Sequence, residues 1–112
     1  MKNVMNIDSK NIKGVIESYL SEVYNQEIKV YFVTNKDGDV IAKYKYTIKI
    51  GNYEAVISVE LNSTDIRSLL EQIIPDFKIE WIGFKLNDDN NKEFLGCTIL
   101  YEDNQNILKL GK

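Results

Sequence analysis

The chain has 112 residues, of which 44% are hydrophobic and 28% charged, and its formal net charge is −3. These values are typical of one soluble globular domain, so we predict a single domain over residues 1–112. They argue against a disordered chain, and no apolar run reaches the ~18 residues that a membrane span needs. The first residues contain no apolar stretch of the signal-peptide kind, which predicts a cytoplasmic protein without a membrane partner.

The residue types that are missing restrict the chemistry. The chain contains no His, a single Cys (Cys97) and a single Arg (Arg67). Without His it lacks the commonest general acid or base and any His-activated nucleophile. One Cys supplies neither an internal disulfide nor a zinc site. We therefore predict no catalytic residue, no metal ligand and no cofactor, and the acidic balance argues against general nucleic-acid binding.

The first predicted element is a helix over residues 9–25. Its apolar residues recur at helical spacing, and they are Ile12, Val15, Ile16, Tyr19, Leu20 and Val23. Asp8 or Ser9 provides an N-cap. With Asp8 as the cap, Ile7 and Ile12 fall at the positions of a hydrophobic staple.

Three strands follow, over residues 27–34, 40–50 and 53–61, because apolar residues there recur at every second position. Gly51-Asn52 predicts a two-residue hairpin turn, and Gly38 a three-residue turn with a bulge. Together these turns fix the register of an antiparallel meander.

The predicted register places apolar residues opposite one another on one face and opposite charges on the other. Ile50 faces Tyr53 across the turn, and Lys43 faces Glu60. Cross-strand charge pairs of this kind contribute roughly 0.2–1 kcal/mol each. A shift by one residue destroys both patterns, so the register is well specified.

A second helix is predicted over residues 63–74, where an apolar stripe at helical spacing ends at Pro75. Two further strands are predicted over 77–86 and 93–101. The segment 107–110 is predicted as a short sixth strand or a docked tail.

The predicted order α-β-β-β-α-β-β, with a further β-strand in one alternative, defines an α+β fold. We expect a single antiparallel sheet of five to six strands with both helices packed on one face. The other face is then open to solvent. Within the strand over 77–86 the alternation changes phase, and Gly83 at that point predicts a bulge.

The first five predicted elements resemble the α-β-β-β-α topology of the double-stranded RNA-binding domain. Members of that family contact RNA phosphates from a basic start of their second helix. The corresponding helix here begins Ser63-Thr64-Asp65-Ile66-Arg67, with one basic residue. The resemblance therefore concerns topology, and we do not transfer the function.

Protein recognition is the binding activity that the sequence favours. An exposed apolar patch ringed by charge marks an interface, large aromatic residues anchor one, and acidic loops steer a basic partner. The candidate interface residues are Tyr31, Val33, Ile41, Trp81, Phe84, Asp88, Asp89 and Glu93. The alternatives are scattered surface residues of no function and a C-terminal tail that covers the last two strands.

Nucleic-acid binding is the alternative. Lys29 is predicted to face Lys45 with no acid beside them, which makes an anion-receptive patch on the open sheet face. The candidate residues are Lys29, Lys43, Lys45 and Lys49, together with Tyr31. A solvated face that keeps the protein soluble gives the same pattern.

From size, acidity and the missing catalytic residues we predict a small non-enzymatic module that binds another protein. The expected role is an inhibitor of a macromolecular target, of the phage or mobile-element anti-defence, anti-CRISPR-like or immunity type. A nucleic-acid enzyme with a basic groove suits the acidic loop, and charge reversal at Asp88, Asp89 and Glu93 is then expected to slow association. Self-association is a further alternative.

Overall fold

The computed structural model describes residues 2–87 and 93–103. Six strands and two helices lie in these two ranges. In chain order they are β1 (Lys2–Asp8), α1 (Ser9–Tyr24), β2 (Tyr31–Thr34), β3 (Val40–Ile50), β4 (Tyr53–Leu61), α2 (Ser63–Ile73), β5 (Phe77–Leu86) and β6 (Phe94–Asp103).

The strands form two antiparallel sheets of three strands each, in the orders β1-β6-β5 and β2-β3-β4. The α+β class is confirmed, but the prediction of one sheet of five to six strands is wrong. The structure contains a strand that was not predicted, β1. It pairs with one edge of β6 while β5 pairs with the other, so β6 has no free edge with which the meander could pair.

β1 was missed because its sequence pattern is weak. Only Met5 and Ile7 of this strand pack against the core. The pairing depends on Gly96, which has a φ of 151° and lies opposite Asp8. A Cβ atom at Gly96 would lie 2.8 Å from the Cα of Asp8, so only glycine lets the two backbones approach this closely.

The two sheets meet where β2 contacts β6. The rings of Phe32 and Phe94 pack there with centroids 4.6 Å apart. Buried residues of both sheets and both helices form one core, and its fully buried members include Ile12, Ile16, Ile28, Val30, Ile66 and Cys97. The helices cover one face of the sheets, which we call the inner face. Within residues 2–87 and 93–103 no helix or strand covers the opposite face, which we call the outer face.

The predicted register of the meander is confirmed. Ile50 pairs with Tyr53 and Lys43 with Glu60, whose Nζ and Oε2 atoms lie 3.5 Å apart. Gly51 has a φ of 63°, as the first position of a type II′ turn requires. The three-residue turn is also confirmed, because the backbone N–H of Asn35 donates to the carbonyl oxygen of Asp39 at 2.9 Å.

The second strand is shorter than predicted, since β2 begins at Tyr31 rather than at residue 27. Side chains of α1 explain the difference. The N–H of Ile28 donates to Ser21 Oγ at 2.9 Å, and that of Val30 donates to Glu17 Oε2 at 2.7 Å. These donors are satisfied by the helix instead of a neighbouring strand.

Both helices lie within one residue of their predicted bounds. Asp8 caps α1 by accepting from the N–H of Asn11 at 2.8 Å. Asn62 and Asp65 form a capping box at the start of α2, in which each side chain accepts from the other residue's backbone N–H. The predicted sixth strand at 107–110 lies outside the described residues.

Candidate protein-binding site

An apolar row crosses the outer face of the β1-β6-β5 sheet. Val4 on β1 pairs with Leu100 on β6, which pairs with Trp81 on β5. Val4 is 63% and Trp81 54% exposed, and Leu100 between them is half-buried. We call these three residues the apolar row.

Trp81 points outward because β5 contains a bulge at Glu80. The register of β5 against β6 shifts between Ile79 and Trp81, not at Gly83 where the sequence predicted it. The extra residue places Ile79 and Ile82 on the inner face and leaves Trp81 between them on the outer face. Arg67 of α2 donates a hydrogen bond to the carbonyl oxygen of Ile79 beside this bulge.

Gly83 has a packing role instead. The indole ring of Trp81 lies directly over it. A Cβ atom at Gly83 would collide with Cη2 of the ring and lie 2.7 Å from Cζ2. Because Gly83 has no side chain, the indole ring packs directly against the strand at this position and is held there rather than free in solvent.

Polar side chains border the apolar row on both sides along the strand direction. On one side Lys2 Nζ lies 3.5 Å from Glu80 Oε1, an ion pair that reaches across the central strand. On the other side Asn6 Oδ1 accepts hydrogen bonds from Thr98 Oγ1 at 2.7 Å and from Lys85 Nζ at 3.3 Å. An apolar centre within a polar rim is the usual anatomy of a protein interface.

The other predicted interface residues do not join the apolar row. Tyr31, Val33 and Ile41 lie on the outer face of the β2-β3-β4 sheet, where Val33 pairs with Ile41. Phe84 lies on the inner face with its ring centroid 5.9 Å from that of Phe94. Glu93 is exposed and immediately precedes β6. Asp88 and Asp89 lie outside the described residues.

Three of the four predicted nucleic-acid residues lie together. Lys29, Lys43 and Lys45 line a shallow depression of about 680 Å³ with Tyr31 and Ser58. Glu27 and Glu60 line it as well and form ion pairs with Lys29 at 3.3 Å and with Lys43 at 3.5 Å. Lys49, the fourth, lies near the β3–β4 turn, paired in register with Glu54.

The two side chains with clearly shifted pKa values belong to the core. Burial raises the pKa of the Tyr44 hydroxyl, and its hydrogen bond with the Tyr24 hydroxyl at 3.4 Å adds to the rise. Burial also raises the pKa of the Cys97 thiol to about 11, although the charge of Lys85 partly opposes the effect. Neither group presents an ionised form to the outer face at neutral pH.

Within residues 2–87 and 93–103, no three metal-ligating side chains are grouped together. None of the helices there is long and apolar enough to cross a membrane. Comparison with known proteins found no matching family model, no similar curated protein and no similar solved structure.

The sequence found one member of the apolar row and missed two. Trp81 was identified by its residue type. Val4 and Leu100 were missed because β1 was not recognised, and without it the strand that contains Leu100 had no partner on that side. The alternation of Lys2, Val4 and Asn6 with Asn3, Met5 and Ile7 is the signal that could have revealed the strand.

Proposed function

We propose that this chain is a protein-binding module that uses the outer face of the β1-β6-β5 sheet. The single observation that carries the proposal is the held, half-exposed Trp81 ring in the apolar row. Tryptophan is the residue type most enriched among those that dominate binding energy at interfaces. A ring that is already positioned loses little conformational freedom on binding.

The partner surface that fits this face has an apolar centre and polar groups at its edge. Lys2, Glu80, Asn6 and Lys85 supply both charges, a donor and an acceptor around the row. Such a rim selects its partner by charge and hydrogen-bond complementarity more than it adds affinity. The expected partner is therefore a folded protein rather than a lipid surface.

The biological role that we attach to this module is inhibition of a macromolecular target, of the anti-defence or immunity type. Its support is the combination of a small chain with a net charge of −3 and one positioned aromatic anchor. A protein of this kind acts by occupying a functional surface of its target. A nucleic-acid enzyme is the target class that its net charge suits.

Affinity capture from a lysate of the host cell, with nuclease added, tests the binding proposal. Wild-type protein is compared with Trp81→Ala and with Tyr31→Ala, the matched control on the other sheet. We expect one stoichiometric protein that wild type and Tyr31→Ala retain and that Trp81→Ala loses. Retention by Trp81→Ala together with loss by Tyr31→Ala would move the interface to the β2-β3-β4 sheet.

Nucleic-acid binding is the second candidate, and the clustering of Lys29, Lys43 and Lys45 favours it. The two glutamates in the same depression oppose a phosphate backbone, which makes it the weaker of the two proposals. It predicts binding to DNA or RNA that weakens steeply with salt and is lost in Lys45→Glu. A lack of binding at low salt would reject it.

A further inference from the structure

β4 presents an open edge that the other edge strands lack. Its nine residues run from Tyr53 to Leu61 without a register shift. No strand in the described part of the chain pairs with the edge of β4 that faces away from β3. The other edges are protected in ways that natural sheets use. β2 has four residues, β5 contains register shifts, and β1 runs directly into α1.

The turn determines which backbone groups of β4 face outward. In a two-residue hairpin the flanking residues, here Ile50 and Tyr53, exchange hydrogen bonds. The N–H and C=O groups of β4 therefore point away from β3 at Glu54 and at every second residue from there. These residues are Glu54, Val56, Ser58 and Glu60, and all four are exposed.

We propose that two copies of this chain pair through β4, antiparallel, with the twofold axis at Val56. This register places Val56 opposite Val56 of the second copy and Glu54 opposite Ser58 of the second copy. The β2-β3-β4 sheets of the two copies then form one continuous sheet of six strands, with both inner faces on one side and both outer faces on the other. The occupant is a second copy because the edge is complementary to itself in this register.

Neighbouring registers are less favourable on charge. An axis at Ile57 sets Glu54 against Glu60 of the second copy, and by symmetry it does so twice. An axis at Ser58 sets Val56 against Glu60 of the second copy. Like charges directly opposed across a ladder are destabilising, and an apolar residue opposed to an acid makes none of the cross-strand pairs that stabilise a sheet. The axis at Val56 avoids both arrangements.

The inner face supplies a second argument for this pairing. Beyond the helices, the β3–β4 hairpin leaves Ile48, Ile50 and Tyr53 exposed at 39%, 60% and 79%. At the other end of the hairpin Val59 and Leu61 pack against the core near α2. The antiparallel pairing sets Tyr53 beside Val59 of the second copy, so the uncovered half of one hairpin lies next to the covered half of the other.

Sedimentation velocity over a range of protein concentrations tests the pairing. We expect a wild-type dimer whose population rises with concentration, and a monomer for Val56→Lys. Val33→Lys, a valine at the outer face of edge strand β2, is the matched control and stays dimeric. A wild-type monomer up to about 1 mM, or a dimer that Val56→Lys leaves intact, would overturn the proposal.

Charge variants test the register itself. Ser58→Glu opposes Glu54 of the second copy twice and is expected to weaken the dimer about tenfold. Adding Glu54→Lys to Ser58→Glu restores wild-type affinity or exceeds it. A dimer that both variants leave unchanged would contradict the axis at Val56. Because the apolar row lies on the other sheet, these variants leave its partner binding unchanged, so each proposal fails separately.

Discussion

The contact between Trp81 and Gly83 gives the sharpest test of the proposed binding surface. In Gly83→Ala the new methyl group occupies the place of the ring, since a Cβ there lies 2.7 Å from Cζ2 of Trp81. The outer side of the half-exposed ring borders solvent, so the methyl group displaces the ring outward and the strand backbone stays where it is. We expect the substitution to release Trp81 into solvent while β5 and its sheet remain folded.

The change in the free energy of unfolding follows from the covered area. Trp81 is 54% exposed, so a little under half of its surface is covered. For a side chain of roughly 250 Å² that is about 115 Å², worth about 3 kcal/mol at ~25 cal/mol per Å² if all of it were lost. Only part of it is the contact with Gly83, and alanine in a strand recovers roughly 0.5–1 kcal/mol relative to glycine. The net destabilisation is expected to be on the order of 1 kcal/mol.

Fluorescence and urea unfolding measure the two effects separately. Trp81 is the single tryptophan of the chain, so its emission reports this ring alone. We expect a red-shifted emission and faster acrylamide quenching in Gly83→Ala, with a small change in stability. Gly14→Ala is the control: apart from the adjacent backbone of its own helix and its chain neighbours, no atom lies within 4 Å of the added Cβ, and we expect the emission to stay unchanged. An unchanged emission in Gly83→Ala, or a stability loss well above about 3 kcal/mol, would show that the substitution does not simply displace the ring from Gly83.

Two further predictions concern the core beneath that surface. Glu17→Ala removes the acceptor of the Val30 N–H and is expected to lower the free energy of unfolding in urea by about 1–3 kcal/mol. The control Glu22→Ala, at an exposed position of the same helix, is expected to lower it by less than about 0.5 kcal/mol. Equal losses would contradict the role of Glu17. Burial raises the pKa of the Cys97 thiol from its usual 9.0 to about 11. Between these two pH values the thiol ionises in the unfolded chain but not in the folded one, so the free energy of unfolding falls as the pH rises through this interval. In Cys97→Val the decrease in the free energy of unfolding that comes from the thiol is expected to disappear, as measured by urea unfolding below and above this pH interval. An identical pH dependence in the two proteins would show that the thiol does not contribute.

The local elements could be predicted from the sequence because their signals are short-range. Caps, apolar stripes and turn residues lie within a few positions of one another, so both helices and the register of the meander were correct. Asp8, Asn62, Gly38 and Gly51 each act within their own turn or helix end. Their effects do not depend on what the rest of the chain does.

The division into two sheets could not be predicted in the same way because it depends on a long-range pairing. β1 and β6 are separated by most of the chain, and their pairing rests on the close backbone approach at Gly96. The candidate site, too, depends on structure that the local sequence pattern does not show. Trp81 was recognisable by type, but its outward direction depends on a bulge at Glu80, one residue before it. Its place in an apolar row depends on a strand from the other end of the chain.

Whether the apolar row binds a protein is decided by the dissociation constant of the captured protein, measured by calorimetry for wild type, Trp81→Ala and Tyr31→Ala. We expect Trp81→Ala to weaken binding at least ~30-fold, the effect of removing about 2 kcal/mol of binding energy, and Tyr31→Ala to leave it unchanged. Equal affinity of wild type and Trp81→Ala would show that the apolar row is not the binding surface.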